Sequence, residues 1–262
     1  MHIKAKKSLG QNFLIDREVL EKIVSIADIT GKEVLEIGPG SGNLTTYILK
    51  QKPKKLYVVE KDDELAILLK EKFDTEIEII NDDILKVSEN KISDQKLSVF
   101  GNLPYNISTK ILSKWILNIG SNFWFDNLIL MFQKEVADRI ISEFNNSNYG
   151  RLSILSSWKL NVEKIIDIKP QSFSPRPKID SSLLLFTPKE KFFKLKDPKN
   201  LEKITRIFFS QRRKMLKKPF NQVFTNGKEV AEKFGIDLNL RPQNLEPEVY
   251  FKLVKEYEDL RG

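Results

Sequence analysis

The stretch Asn102-Leu103-Pro104-Tyr105 gathers residue types that suit one kind of chemistry. Pro104 has no N–H and a fixed φ, and it pushes Leu103 out of helical conformation, so the segment is a stiff loop. It offers the side-chain oxygen of Asn102, the carbonyl of Pro104 and the aromatic face of Tyr105. Two acceptors and a ring fit a planar heterocyclic amine. Such an amine is a poor nucleophile, because its lone pair is delocalised into the ring. Acceptors on its two N–H bonds favour a pyramidal nitrogen and free the lone pair. The chain has no Cys and a single His, His2. That excludes disulfides, thiolate metal sites and a cysteine nucleophile, and it disfavours a Ser-His-Asp triad. No metal centre is expected.

A second constellation lies upstream. "EIGPGSG" (36–42) follows an apolar run and precedes a helical one. Its glycines allow a tight turn and close approach of a ligand. Glu60 ends the next apolar run, 20 residues past Gly40, where a carboxylate accepts from the ribose hydroxyls of a nucleoside cofactor. Asp83 ends the third run, where an acid accepts from an adenine amino group. NAD and S-adenosylmethionine both suit such a crevice. Hydride transfer usually wants a proton carrier near the substrate. Methyl transfer to an amine needs mainly positioning of the nucleophile, which is what the Asn-Leu-Pro-Tyr loop supplies, so S-adenosylmethionine is the expected cofactor.

Alternating strands and helices must position these residues. Strands are expected at 33–37, 55–60, 76–80, 96–100 and 127–132. Helices are expected at 15–28, 43–51, 62–73, 108–119 (with Ser108 as cap), 133–144 and 151–160. Two further strands, 163–168 and 181–186, flank a proline-rich loop and can pair antiparallel at the sheet edge. The pattern predicts an α/β fold with a doubly wound, Rossmann-like methyltransferase sheet. From Pro188 on it turns helical, at 199–210, 211–218, 228–234 and 247–258. Two domains follow: a methyltransferase domain over 1–187 and a small basic helical domain over 188–262.

The charge is unevenly placed. Residues 187–262 carry 18 Lys and Arg against 11 Asp and Glu, nearly the whole net charge of +8. "RIFFSQRRKMLKK" (206–218) has six basic residues and no acid. On a helix, Ile207, Phe208, Met215 and Leu216 would pack inward. Arg212, Arg213, Lys214, Lys217 and Lys218 would face phosphates. The apolar runs are too short to span a bilayer, and the N-terminus lacks the apolar core of a signal peptide, so a cytoplasmic location is expected.

The series "SLGQNFL" (8–14), "EIGPGSG" (36–42), "GNLPYNIST" (101–109), "QKEVADRI" (133–140), "YGRLS" (149–153), "SFSPRPKIDS" (172–181) and "FFSQRRKML" (208–216) resembles the small-subunit rRNA adenine N6,N6-dimethyltransferases. The resemblance spans nearly the whole chain, with Ile179 where the family often has Val. It implies S-adenosylmethionine binding by Asn12, Leu14, Gly38, Glu60, Asp83 and Asn102. It also implies dimethylation of two adjacent adenosines in a hairpin loop near the 3′ end of small-subunit rRNA. Phe173 matches the aromatic that packs on the target adenine opposite the tyrosine; prolines 175 and 177 stiffen its loop, and two rings would sandwich a flipped base. The expected partners are small-subunit rRNA and the immature small ribosomal subunit, met by a monomer. Two alternatives stand beside this reading: a large-subunit rRNA adenine methyltransferase of the antibiotic-resistance type, and a non-catalytic ribosome-assembly or nucleic-acid-binding factor.

Overall fold

The computed structural model describes Lys6, residues 10–120 and residues 122–261. His2, and Ser8 and Leu9 of the first motif, lie outside the described residues. The elements are β1 (Phe13–Leu14), α1 (Arg17–Val24), β2 (Glu33–Ile37), α2 (Asn43–Lys50), β3 (Lys55–Val59), α3 (Asp63–Phe73), β4 (Glu78–Ile80), β5 (Leu97–Gly101), α4 (Ser108–Asn118), β6 (Phe125–Gln133), α5 (Lys134–Ile140), α6 (Arg151–Lys159), β7 (Leu160–Ile168), β8 (Phe173–Ser174), β9 (Ser181–Pro188), α7 (Pro198–Phe209), α8 (Lys217–Val223), α9 (Gly227–Lys233) and α10 (Pro247–Asp259).

Seven strands form one sheet in the order β4-β3-β2-β5-β6-β9-β7. β2 pairs in parallel with β3 and β5, β3 with β4, and β5 with β6, while β9 runs antiparallel to β6. This is the expected doubly wound α/β sheet. The chain builds outward from β2 through β3 to β4, then crosses back to β5. A crevice therefore opens between the carboxyl ends of β2 and β5, the switch point where such sheets take ligands. β2 and β5 are buried along their whole length, as central parallel strands are. Aspartate caps start three of the described helices, α1, α3 and α7, the last through Asp197, which accepts from Lys199 N–H at 2.9 Å. Asp16 accepts from Val19 N–H at 3.3 Å, and Asp62 from Glu64 N–H at 3.1 Å. Each satisfies a donor that the first turn leaves open.

The chain divides into two compact units. One comprises residues up to Trp115 with Ile119–Ala137 and Glu163–Pro188; the other comprises Ile116–Asn118, Asp138–Val162 and Lys189–Gly262. The expected second domain starts at 188; the compact unit that holds 189–262 also takes in 116–118 and 138–162. Two interactions within that unit explain the addition of 138–162. Tyr149 is fully buried with its ring 6.1 Å from that of Phe209, and Trp158 Nε1 donates to the Phe193 carbonyl at 2.7 Å.

Three local expectations change. No continuous helix runs over 211–218: α7 ends at Phe209, a turn follows, and α8 starts at Lys217. Leu216 is buried, but Met215 is 58% exposed, so it does not pack inward. Ser108 does not cap α4; its hydroxyl donates to the Tyr105 carbonyl at 3.2 Å. The two-stranded ribbon of β1 and β8, with Leu14 opposite Phe173, is an addition to the expected elements. Its strands are two residues each, too short to leave a periodic trace.

Candidate active site

The glycine turn joins β2 to α2 with Gly38 and Gly40 at φ +66° and +58°. Gly40 is required twice over. Its φ favours glycine, and a Cβ there would sit 2.7 Å from the ring of Phe13. Glu60, immediately after β3, is 6% exposed. Its Oε2 accepts from Gly40 N–H at 3.2 Å and its Oε1 from Asp62 N–H at 2.9 Å. Burial raises the Glu60 pKa, and these backbone bonds pull it back. The carboxylate thus braces the glycine turn and the start of α3, with lone pairs remaining for a ligand. Asp62 takes Lys6 Nζ at 2.8 Å and Gln11 Nε2 at 3.0 Å, which ties the N-terminal segment beside it.

Asp83 follows β4. Lys61 Nζ donates to it at 2.8 Å and Leu85 N–H at 3.0 Å, and both hold its carboxyl below its ordinary pKa. The structure brings Asn12, Leu14, Gly38, Glu60, Asp83 and Asn102 onto one cleft, about 1210 Å³ with its open mouth. The donor set fits a nucleoside cofactor: a buried carboxylate held by two backbone N–H groups, an ionised aspartate one strand further, and a backbone turn open to close approach.

Asn102 follows β5. Its Nδ2 donates to the Asn12 carbonyl at 2.8 Å. Only an N–H can face a carbonyl, so the amide is oriented, and among the described residues nothing donates to its Oδ1. Asn12 holds its place in the site through this bond, which no spacing rule would reveal. Tyr105 lines the same cleft, half-buried, with its hydroxyl 2.5 Å from Ser181 Oγ.

Two expected roles are corrected. The Pro104 carbonyl is not free for a substrate amine. It accepts from Ile107 N–H and Ser108 N–H, each at 3.0 Å, and so starts α4. Phe173 is 1% exposed and belongs to the hydrophobic core with Leu14, Leu20 and Ile23. The β1–β8 pairing turns it inward, and it does not line the cleft.

Phe13, Glu36 and Met131 also line the cleft, and sequence reasoning missed them as site residues. Glu36 opens the glycine motif, whose pattern draws attention to the glycines alone. It is 1% exposed and accepts from Thr45 Oγ1 at 2.6 Å. Burial pushes its pKa from 4.5 up to about 8; the Thr45 bond and the Lys72 charge oppose the shift, and neighbouring Glu60 adds to it. An acid whose pKa is raised on folding holds more protons folded than unfolded, so stability falls as pH rises between the two values. In the cofactor-free protein, Glu36→Gln should flatten the decline in melting temperature between pH 4.5 and about 8. Parallel melting curves for both proteins across that window would refute it.

The basic block splits. Arg213, Lys214, Lys217 and Lys218 are exposed. Arg212 is half-buried, and its guanidinium donates to the carbonyls of Ser147 and, at 3.1 Å, Tyr149. It stitches a loop of its own unit and is not a free phosphate ligand.

A largely parallel sheet with a glycine turn, a ribose-type carboxylate and an Asn-Leu-Pro-Tyr loop on one cleft defines a Rossmann-like methyltransferase. More narrowly, the chain belongs to the ribosomal RNA adenine dimethylase family, whose model matches residues 2–259. It is 94% identical over 262 residues, all of both chains, to "Ribosomal RNA small subunit methyltransferase A" of Pelagibacter ubique strain HTCC1062. It is 42% identical to a protein of the same description from Wolbachia sp. subsp. Drosophila simulans, over 98% of this chain and 95% of that one. Among solved structures it resembles a dimethyladenosine transferase from Plasmodium falciparum, with TM-score 0.77 and 27% identity over 94% of this chain and 98% of that one. It also shares its fold with the 23S rRNA methyltransferase ErmE, at TM-score 0.68 and 22% identity over 95% and 100% of the two chains. The protein is an enzyme, an rRNA adenine dimethyltransferase.

Proposed function

We propose that this chain dimethylates N6 of two adjacent adenosines near the 3′ end of small-subunit rRNA, with S-adenosylmethionine as methyl donor, during assembly of the subunit. The observation that carries the site assignment is Asn102: an amide held by the Asn12 carbonyl, to whose oxygen no described residue donates, on a cleft of nucleoside-cofactor type. The cofactor supplies a strongly electrophilic methyl on a sulfonium. The protein's part is to hold the adenine amine in line and free its lone pair. Asn102 Oδ1 takes one N–H. Because the Pro104 carbonyl is engaged in the turn, the second acceptor is the Leu103 carbonyl, to which no described residue donates. Tyr105 supplies a stacking face.

RNA affinity rests on the second unit, where Arg213, Lys214, Lys217 and Lys218 stand exposed together. No helix among the described residues is long and apolar enough to cross a membrane, and we place the reaction in the cytoplasm, on the immature subunit, by a monomer. Changing the four exposed cations together to Ala should weaken subunit binding. It should also flatten the log–log salt dependence by about one unit for each phosphate no longer neutralised. Cofactor affinity should not change. An unaltered salt slope would mean that these cations are only solvated. Methylation of an immature small subunit, followed by mapping of the modified bases, tests the substrate itself; modification confined to large-subunit RNA would overturn it.

A further inference from the structure

We infer that Ser181 is a positioning residue for methyl transfer, which holds the Tyr105 ring at the angle needed to stack on the target adenine. This rests on the reading of Tyr105 as the stacking face. Tyr105 belongs to the loop after β5, whereas Ser181 opens β9, two strands away across β6. The tyrosine side chain spans the carboxyl end of β6 and meets Ser181 Oγ at 2.5 Å.

The serine is built as a fixed post. It is fully buried, and its backbone is in register with Gln133 of β6. On one side the Asp180 carbonyl accepts from Lys134 N–H at 2.9 Å, and the Asp180 carboxylate pairs with Lys169 at 2.7 Å. On the other side Ser182 Oγ donates to Asp167 at 2.6 Å, and Asp167 also pairs with Lys134 and with Lys164. A buried hydroxyl on so firmly tethered a backbone can swing little. The ring bonded to it is therefore fixed at both ends, by the stiff Leu-Pro-Tyr backbone and by its own hydroxyl. Fixing the ring matters because small misplacements of a reacting group are costly in rate. It also keeps the stacking surface in place when the monomethylated base must turn to present its lone pair again.

The test is a double-mutant cycle of Ser181→Ala and Tyr105→Phe on the full-length enzyme. Its readouts are single-turnover methylation and calorimetric S-adenosylmethionine binding, with thermal melts as a folding control. Each single variant removes the same bond from opposite sides. Each should slow transfer about tenfold without altering cofactor affinity, and the double variant should be no slower than either single. In a subunit RNA carrying 2-aminopurine at the target position, the base's fluorescence change on binding should shrink equally in both variants. A purely structural role for Ser181 would leave that signal intact. Wild-type rates in Ser181→Ala, or losses that multiply in the double variant, overturn the inference. If Ser181→Ala fails to fold, Tyr105→Phe decides alone, and a wild-type rate there is fatal. The underlying reading fails separately: Tyr105→Ala at full rate means that no stacking face exists to be positioned.

Discussion

Asn102→Ala slows methyl transfer by a factor on the order of 10²–10³, comparable to the removal of one preorganised polar group at a reacting centre. The amide is preorganised in a specific sense. Its Nδ2 is held at 2.8 Å by the Asn12 carbonyl, so Oδ1 need not reorient as the amine pyramidalises. The interaction strengthens toward the transition state, so the effect appears in the rate rather than in RNA affinity. The second transfer gives the sharper measurement. After one methyl the amine keeps a single N–H, and only one of Asn102 Oδ1 and the Leu103 carbonyl can still accept it. The mutant's deficit should therefore differ between unmodified and monomethylated subunits in single-turnover kinetics. The same substitution frees the Asn12 carbonyl and loosens the N-terminal segment, so cofactor affinity is measured alongside, and melts control for folding. Near-wild-type rates on both substrates would reduce the loop to a turn.

The parts of this site that are legible in the sequence are those encoded locally. The glycine turn, the carboxylate 20 residues beyond Gly40 and the acid at the end of β4 each follow an apolar run. In a doubly wound sheet, successive strand ends fall on one edge. The helix start at Asp16 is visible for the same reason, since a cap bonds within three residues. What escapes depends on interactions between distant segments. The resemblance alone gives Phe173 as a second stacking ring, and no local pattern shows that its pairing with Leu14 places it in the core. The Pro104 carbonyl looks free because a sequence does not show which backbone donors a loop will satisfy; here α4 begins on it. Arg212 and Arg213 are adjacent and chemically identical, yet one grips the carbonyls of Ser147 and Tyr149 and the other faces solvent. Ser181 and Tyr105 are 76 residues apart, and no motif spacing joins them.

Glu60→Ala weakens S-adenosylmethionine binding by at least ~1.5 kcal/mol, the scale of one charge-assisted hydrogen bond, or more than tenfold in affinity. Two effects combine. The ribose loses its acceptor, and the glycine turn loses the bond from Gly40 N–H that holds it against the carboxylate. Glu60→Gln separates charge from mere size. Each carboxylate oxygen already faces a backbone N–H, Gly40 on one side and Asp62 on the other. A glutamine can answer only one of them with its oxygen; its NH₂ then points at the other donor, whichever way the amide is turned. A buried donor facing a donor costs its full desolvation, so the isosteric variant should bind the cofactor about as poorly as the alanine variant. Calorimetry on folded proteins decides. Unchanged affinity in Glu60→Ala removes Glu60 from the cofactor site. Full recovery in Glu60→Gln means that only one of its oxygens matters and that the bracing of the glycine turn contributes nothing to binding.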